Sequence, residues 1–219
     1  MSIHAKTTGA YAVGTTEWND NIDAFWNFSR SLGYSEEAFA GMMGNCQAEG
    51  GMNPWRWQGD QVSINLGYGL FQYTPAEGYL TSYGPTSQYY APNTQIPGPS
   101  SGASPDDGLA QIEVISASGK YTAGSVRVNL LTPYVSDCTN YTSLSDFKTC
   151  NNIVKATYLW VGFFECPGWW LNQTDVATHM QPRLDAAQSA YDRIHGSVTT
   201  SLLLFGGGRE NIRRNILRR

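Results

Sequence analysis

The run from Ser35 to Pro54, SEEAFAGMMGNCQAEGGMNP, limits the possible folds of this chain more tightly than any other stretch. Phe39, Met42, Met43 and Cys46 recur at i, i+3, i+4 and i+7, the period of a helix that buries one stripe. Ser35 is placed to cap its start, and Glu36 and Glu37 fall in the first turn, where carboxylates suit the helix dipole. Gly50 and Gly51 can take the left-handed conformation that closes a helix, and Pro54 prevents continuation. The segment is therefore expected to be a bounded amphipathic helix with Glu49 in its final turn.

At about 100° per residue, Glu49 lies about 60° around the helix from Cys46, on the border of the apolar stripe. A solubilising glutamate belongs on the opposite face. Partial burial and the negative end of the dipole both disfavour a carboxylate there, so the position favours a protonated acid. Such a group can donate to a leaving glycosidic oxygen.

Three runs together carry a family resemblance. They are Gly-Asn-x-x-x-Glu-x-Gly-x-Asn-Pro at 44–54, Gly-x-x-Gln-Tyr-Thr-Pro at 69–75, and Phe-Phe-Glu-Cys-Pro-Gly at 163–168. The chain resembles the phage tail lysozymes over about residues 15–195, although 85–140 carries no matching motif. Those are tail-associated peptidoglycan hydrolases that open the bacterial wall during genome delivery. The resemblance implies an α+β, mostly α fold: a lysozyme-like helical domain with a small β-hairpin lobe forming the far wall of a substrate cleft. It also implies that Glu49 is the catalytic acid and that Gln72 and Tyr73 lie near the cleft to orient sugar or water; Trp57 and Tyr68 are further candidates for substrate contact. In the third motif the family usually reads Tyr-Glu-Arg-Pro; Cys166 stands here where that arginine would be. A salt bridge from that position is thereby removed, while the Glu49 assignment stands.

A glycosidase usually needs a second carboxylate, as nucleophile or as the base that activates water. Asp60, eleven residues after Glu49 in the expected lobe, is the candidate, with a turn aspartate beside Gly59 as the alternative. Without such a partner, a lytic transglycosylase becomes the competing chemistry. Glu77 is expected to serve a capping box, Thr74-Pro75-Ala76-Glu77, rather than catalysis. For Glu165 the expectation is a buried carboxylate bonded to backbone amides.

Along the rest of the chain, residues 1–14 read as a loose lead-in. A helix is expected over about 17–32, capped by Thr16 and closed by Gly33. Over 55–73 the helical period is lost and Val62 and Ile64 alternate with polar neighbours between Gly59 and Gly67, which reads as a small β-hairpin or an irregular lobe. A helix from Pro75 to about Tyr83 and a Pro/Ser/Tyr-rich loop to Ala103 follow. Ser104-Pro105 opens a helix with Leu109, Ile112 and Ile115 inward. Val126 and Val128 suggest a short strand. The longest pattern, 146–164, predicts a central buried helix, and another spans 182–195, stopped by Gly196. Residues 15–200 are thus expected to form one catalytic domain, and 201–219 a Gly-jointed basic tail that is either a disordered terminus or a docking segment for other tail proteins.

Composition narrows the partners. Only 15% of residues are charged and 13% are aromatic, a balance that suits an apolar sugar face. The net charge is −4, yet the last eleven residues hold five Arg and one Glu, leaving the remainder at −8. An acidic body argues against nucleic acid. No Cys/His spacing reads as a metal site and no cofactor is expected. Four cysteines are too few for a disulfide scaffold, although Cys138 with Cys150, or Cys46 with Cys166, are conceivable pairs. The start has no signal-peptide pattern and nothing reaches the length of a membrane span, so the wall is expected to be reached on a virion or through cell lysis, and the resemblance implies the virion (phage tail). Two other classes compete: a non-catalytic tail module, and a cysteine peptidase using Cys46 with His179 or His195. The second is disfavoured because a thiolate wants a helix N-terminus.

Overall fold

A computed structural model describes residues 2–90, 106–117 and 121–214, with side-chain surroundings given as far as 196. Its helices are α1 (Thr16–Ser31), α2 (Glu36–Gly50), α3 (Ala76–Gly78), α4 (Asp107–Ala117), α5 (Ser125–Leu131), α6 (Leu144–Lys148), α7 (Ile153–Trp160), α8 (Gly168–Leu171) and α9 (Val176–Arg214). The chain is mostly helical, as expected. The β-hairpin lobe is not. Between Trp55 and Tyr73 the described backbone has only isolated bridges, Trp57 with Tyr68 and Tyr68 with Tyr73, and the lobe is irregular. Its glycines account for this: Gly59 and Gly69 sit at positive φ, 62° and 80°, bending the chain where a ladder would have to continue.

The central helix is α2, rather than 146–164. It is buried on every side from Ala38 to Cys46, which exceeds the single stripe expected. Two glycines make this possible. A Cβ on Gly41 would lie 2.6 Å from the Ala156 Cβ of α7, and one on Gly44 would lie 2.3 Å from the Arg183 carbonyl of α9. With hydrogens there instead, α7 and α9 press directly onto the α2 backbone, and Phe39, Met42 and Met43 fill the space between, each contributing about 1.5–3 kcal/mol by burial. Both ends of α2 follow the sequence: the Ser35 side chain accepts from the Ala38 amide, and Gly51 closes the helix at φ 59°.

The 146–164 pattern is broken because side chains offer caps within it. Ser143 and Asp146 form a capping box on α6, while Asn152 takes extended geometry and caps α7 through the Lys155 amide. The interruption docks on α2: Ser35 Oγ donates to the Cys150 carbonyl, and the Ser35 amide to that of Lys148. Beyond Trp160 a wide π-type turn, Val161–Glu165, ends at Cys166 in left-handed conformation.

Other boundaries shift for local reasons. Thr15, one residue earlier than expected, caps α1. Thr74 caps nothing; its hydroxyl donates to the Gln72 carbonyl, Pro75 stands extended as the cap residue of α3, and Glu77 is exposed. Val126 and Val128 lie on α5, with Val126 exposed, so no strand forms there. Helix α9 starts six residues before Pro182 and continues past Gly196, since glycine permits a left-handed stop without imposing one. The cap expected at Ser104-Pro105, most of the loop before it and the last five residues lie outside the described residues.

Residues 2–13 form no helix, yet they are pinned rather than loose. Asn53 of the Asn-Pro turn accepts from the Lys6 and Trp55 amides and donates to the Lys6 and Gly9 carbonyls. The Tyr11 amide donates to Gly51, and Asn21 of α1 bridges His4 to Met52. The far wall is anchored in the same way. Buried Gln111 of α4 accepts from the Leu70 amide at 2.7 Å and donates to the Pro54 carbonyl and Asp107 at 2.8 Å. No described helix is long and apolar enough to cross a membrane.

Candidate active site

A cleft of about 420 Å³ opens where the C-terminal end of α2 meets the irregular lobe and the turn after α7. Its lining comes from α2 (Glu49), from the turn after α7 (Phe164, Glu165 and Pro167) and from the lobe (Arg56, Gln58, Gly59 and the run Phe71–Thr74). Gly50 brings the walls together, since a Cβ there would meet the Gly69 carbonyl at 2.5 Å.

Glu49 occupies the mouth with its side chain 30% exposed, and Arg183 Nη2 donates to its Oε1 at 2.5 Å. Arg183 comes from α9 and is almost wholly enclosed. Its Nε donates to Asn45 Oδ1 at 3.1 Å, its Nη1 to the His179 carbonyl at 2.9 Å, and its guanidinium lies 5.2 Å from the Trp169 ring centre. Asn45 and Glu49 are spaced i, i+4, so the Gly-Asn-x-x-x-Glu motif presents two acceptors to one guanidinium. Asn45 is itself fixed by donating to the Gly41 and Thr157 carbonyls.

Behind this pair lies Glu165, its side chain 8% exposed, with Oε2 3.7 Å from Arg183 Nη2. That is ion-pair range but too long for a hydrogen bond. Both Glu165 oxygens are buried without a hydrogen-bond partner, as is the Trp160 indole N–H. The amide-bonded role expected for Glu165 is therefore corrected. Burial, then the negative charge of Glu49, push its carboxyl up to about 8 against the opposing pull of Arg183 and Trp160.

The remaining expected residues divide. Gln72 and Tyr73 line the cleft. Gln72 is held at φ 45° with its amide donating to the Gly69 and Arg56 carbonyls, and the Tyr73 hydroxyl is tied inward to the Gln111 carbonyl. Trp57 and Tyr68 are 1% and 0% exposed, their rings packed on each other, so neither presents a face to the cleft. Asp60 lies outside the lining. Its Oδ1 accepts from the Gly9 amide at 2.7 Å and sits 3.7 Å from Arg56 Nε, the geometry of a turn aspartate that fastens the N-terminal segment.

Arg183, Arg56, Phe71 and Phe164 escaped the sequence reading. For Arg183 a signal existed: it shares an inward stripe with Ala187, Ala190 and Ile194, and an arginine on a buried stripe asks for a partner. All four cysteines are free. Burial raises the Cys46 thiol well above its ordinary range, which removes it as a nucleophile. Among the described residues no cluster of His, Cys, Asp or Glu could hold a metal ion.

The sequence profile described as phage tail lysozyme matches residues 20–194. A curated relative, morphogenesis protein 1 of Bacillus phage B103, is 40% identical over 65 residues, covering 29% of this chain and 18% of that protein. The chain thus aligns with less than a fifth of that relative's length.

Proposed function

The chain belongs to the phage tail lysozyme family, and on that footing we propose that it cleaves the β-1,4 glycan strand of peptidoglycan as a muramidase, with Glu49 as general acid. The observation that carries this reading is the placing of Glu49: an acid on the last turn of the central helix, at the mouth of a cleft, backed by an enclosed guanidinium. Glu49 donates a proton to the glycosidic oxygen as the bond breaks. The resulting carboxylate then takes a proton from the hydroxyl that attacks the sugar cation. Gln72 and Arg56, with polar groups on the facing wall, bind and orient the sugars, while Phe71 and Phe164 offer apolar surface. Asp60 acts at one remove, through the N-terminal segment that it fastens beside Arg56.

A lytic transglycosylase is the second reading, favoured by one observation. Among the described lining residues Glu49 is the one carboxylate with open exposure, since the oxygens of Glu165 are buried. With no second carboxylate to activate water, the substrate's own hydroxyl can close on the sugar. Fragment mass decides between them. Wild type acting on purified peptidoglycan should release fragments with hydrated reducing muramic acid ends; ends lighter by one water would make it a transglycosylase, and glucosamine ends a glucosaminidase.

The setting we propose is the virion, at the phage tail during genome delivery. The family profile and the phage relative support a virion-associated protein. The arginines of the last eleven residues are proposed to meet other tail proteins.

A further inference from the structure

An arginine in contact with Glu49 favours its anion, whereas glycosidic donation needs the acid. The same guanidinium faces a second carboxyl that has no hydrogen bond of its own. One cation can neutralise one of these two carboxylates, and a second anion enclosed beside them would have no counter-charge, so the cluster retains one proton. Burial assigns that proton to Glu165 in the empty cleft, because Glu165 is the more enclosed of the two.

We propose that Glu165 is a positioning residue that stores the catalytic proton: when glycan fills the cleft, Arg183 passes from Glu49 to Glu165, and one proton passes from the Glu165 carboxyl to the Glu49 carboxylate. One O–H bond breaks on Glu165 and one forms on Glu49, while the guanidinium keeps its charge. The inference rests on Glu49 being the acid.

The geometry suits a short movement. Arg183 is held by its other nitrogens, Nε on Asn45 and Nη1 on the His179 carbonyl, which leaves Nη2 as the arm between the two carboxyls. From 3.7 Å, an approach of about 1 Å brings that nitrogen to charge-assisted hydrogen-bond distance of Glu165. Other groups set the balance around Glu165. Cys46 and Glu49 face it from α2, Arg183 from α9 and the Trp160 indole from α7. Cys166 follows it in the chain, and Arg127 of α5, bound to the Phe163 carbonyl, lies beyond. Both thiols are pushed up by burial and stay neutral, so the exchange lies among the two carboxyls and the arginine.

The test compares wild type, Glu165→Gln and Glu49→Gln by pH profile on purified glycan strands and by infrared spectroscopy. The glutamine at 165 keeps the shape but neither stores nor releases a proton. Glu49 is then left with Arg183 alone, and the alkaline limb of kcat should move down by about 1–3 pH units with KM changed less than about threefold. A merely structural role would scale the profile without moving it, and an unmoved limb overturns the proposal. In spectra at neutral pH, wild type should show a carboxylic acid carbonyl band that Glu165→Gln removes, since Glu49 then stands as an anion beside Arg183, and that Glu49→Gln diminishes, since Arg183 is then left to Glu165 alone. A wild type without that band, or one that survives Glu165→Gln, also overturns it. Retention of full activity by Glu49→Gln would remove the premise instead, and so separates the two failures.

Discussion

Through one guanidinium Arg183 reaches Asn45, Glu49 and Glu165 as well as the His179 carbonyl, so the charge balance of the cleft is shared among very few atoms. Glu165 carries the measurable consequence. Its folded value of about 8 stands above the ordinary 4.5, so the native state binds this proton more tightly than the unfolded chain does. The contribution is complete below the unfolded value and is lost as pH rises through the folded one. Urea unfolding should therefore show wild type losing up to a few kcal/mol across that window, at about 1.4 kcal/mol per unit of difference. Glu165→Gln should flatten the slope and be more stable than wild type at the alkaline end. Glu49 was legible as a residue because a helix end and an apolar border are local features. Its partner was not: Arg183 is 134 residues away, and only packing of α9 on α2 brings it near.

At the scale of elements, the site depends on how closely α9 approaches α2. Gly44→Ala places a methyl 2.3 Å from the Arg183 carbonyl, against backbone that cannot swing aside. Alanine is the better helix former by about 0.8–1 kcal/mol. Overpacking outweighs that, so denaturant unfolding should show a net loss of about 1–3 kcal/mol, with activity falling as Arg183 is displaced. Gly78→Ala is the control. Its backbone is helical and its new methyl would meet only the edge of the Tyr83 ring at 3.6 Å, so it should be neutral or slightly stabilising. Helix α2 was readable at both ends because Ser35 and Gly51 act on their own neighbours. The break between α6 and α7 was not, because Phe147, Ile153 and Thr157 continue an apolar pattern across it while Asn152 supplies a cap inside it. The hairpin was expected from alternation at Val62 and Ile64, yet Ile64 is exposed and glycine turns replace the ladder.

Over the whole molecule, stability comes from the packing around α2 without covalent links. All four cysteines are free; Cys46, Cys138 and Cys150 are buried and Cys166 is partly so. Thiol titration should count four groups in denaturant and no more than the one of Cys166 in the native protein. Added reductant should leave the unfolding midpoint unchanged, and a fall on reduction would mean a disulfide that this fold does not contain. The mostly helical class was available from periodicity, since helices dominate wherever the pattern is long. The wall opposite Glu49 was not, because Asn53 and Gln111 build it from contacts between distant segments.

The most direct test of the account is the digestion of purified peptidoglycan by wild type and Glu49→Gln, with released fragments weighed and both proteins shown to share one fold by circular dichroism. A general acid supplies about 10²–10⁴-fold. Wild type should release disaccharide-peptide fragments and Glu49→Gln should be slower by about that factor, with its unfolding midpoint little changed. Equal release by the two proteins, or no release by wild type on any wall type, would contradict the account and favour a structural tail module that keeps the fold without the chemistry.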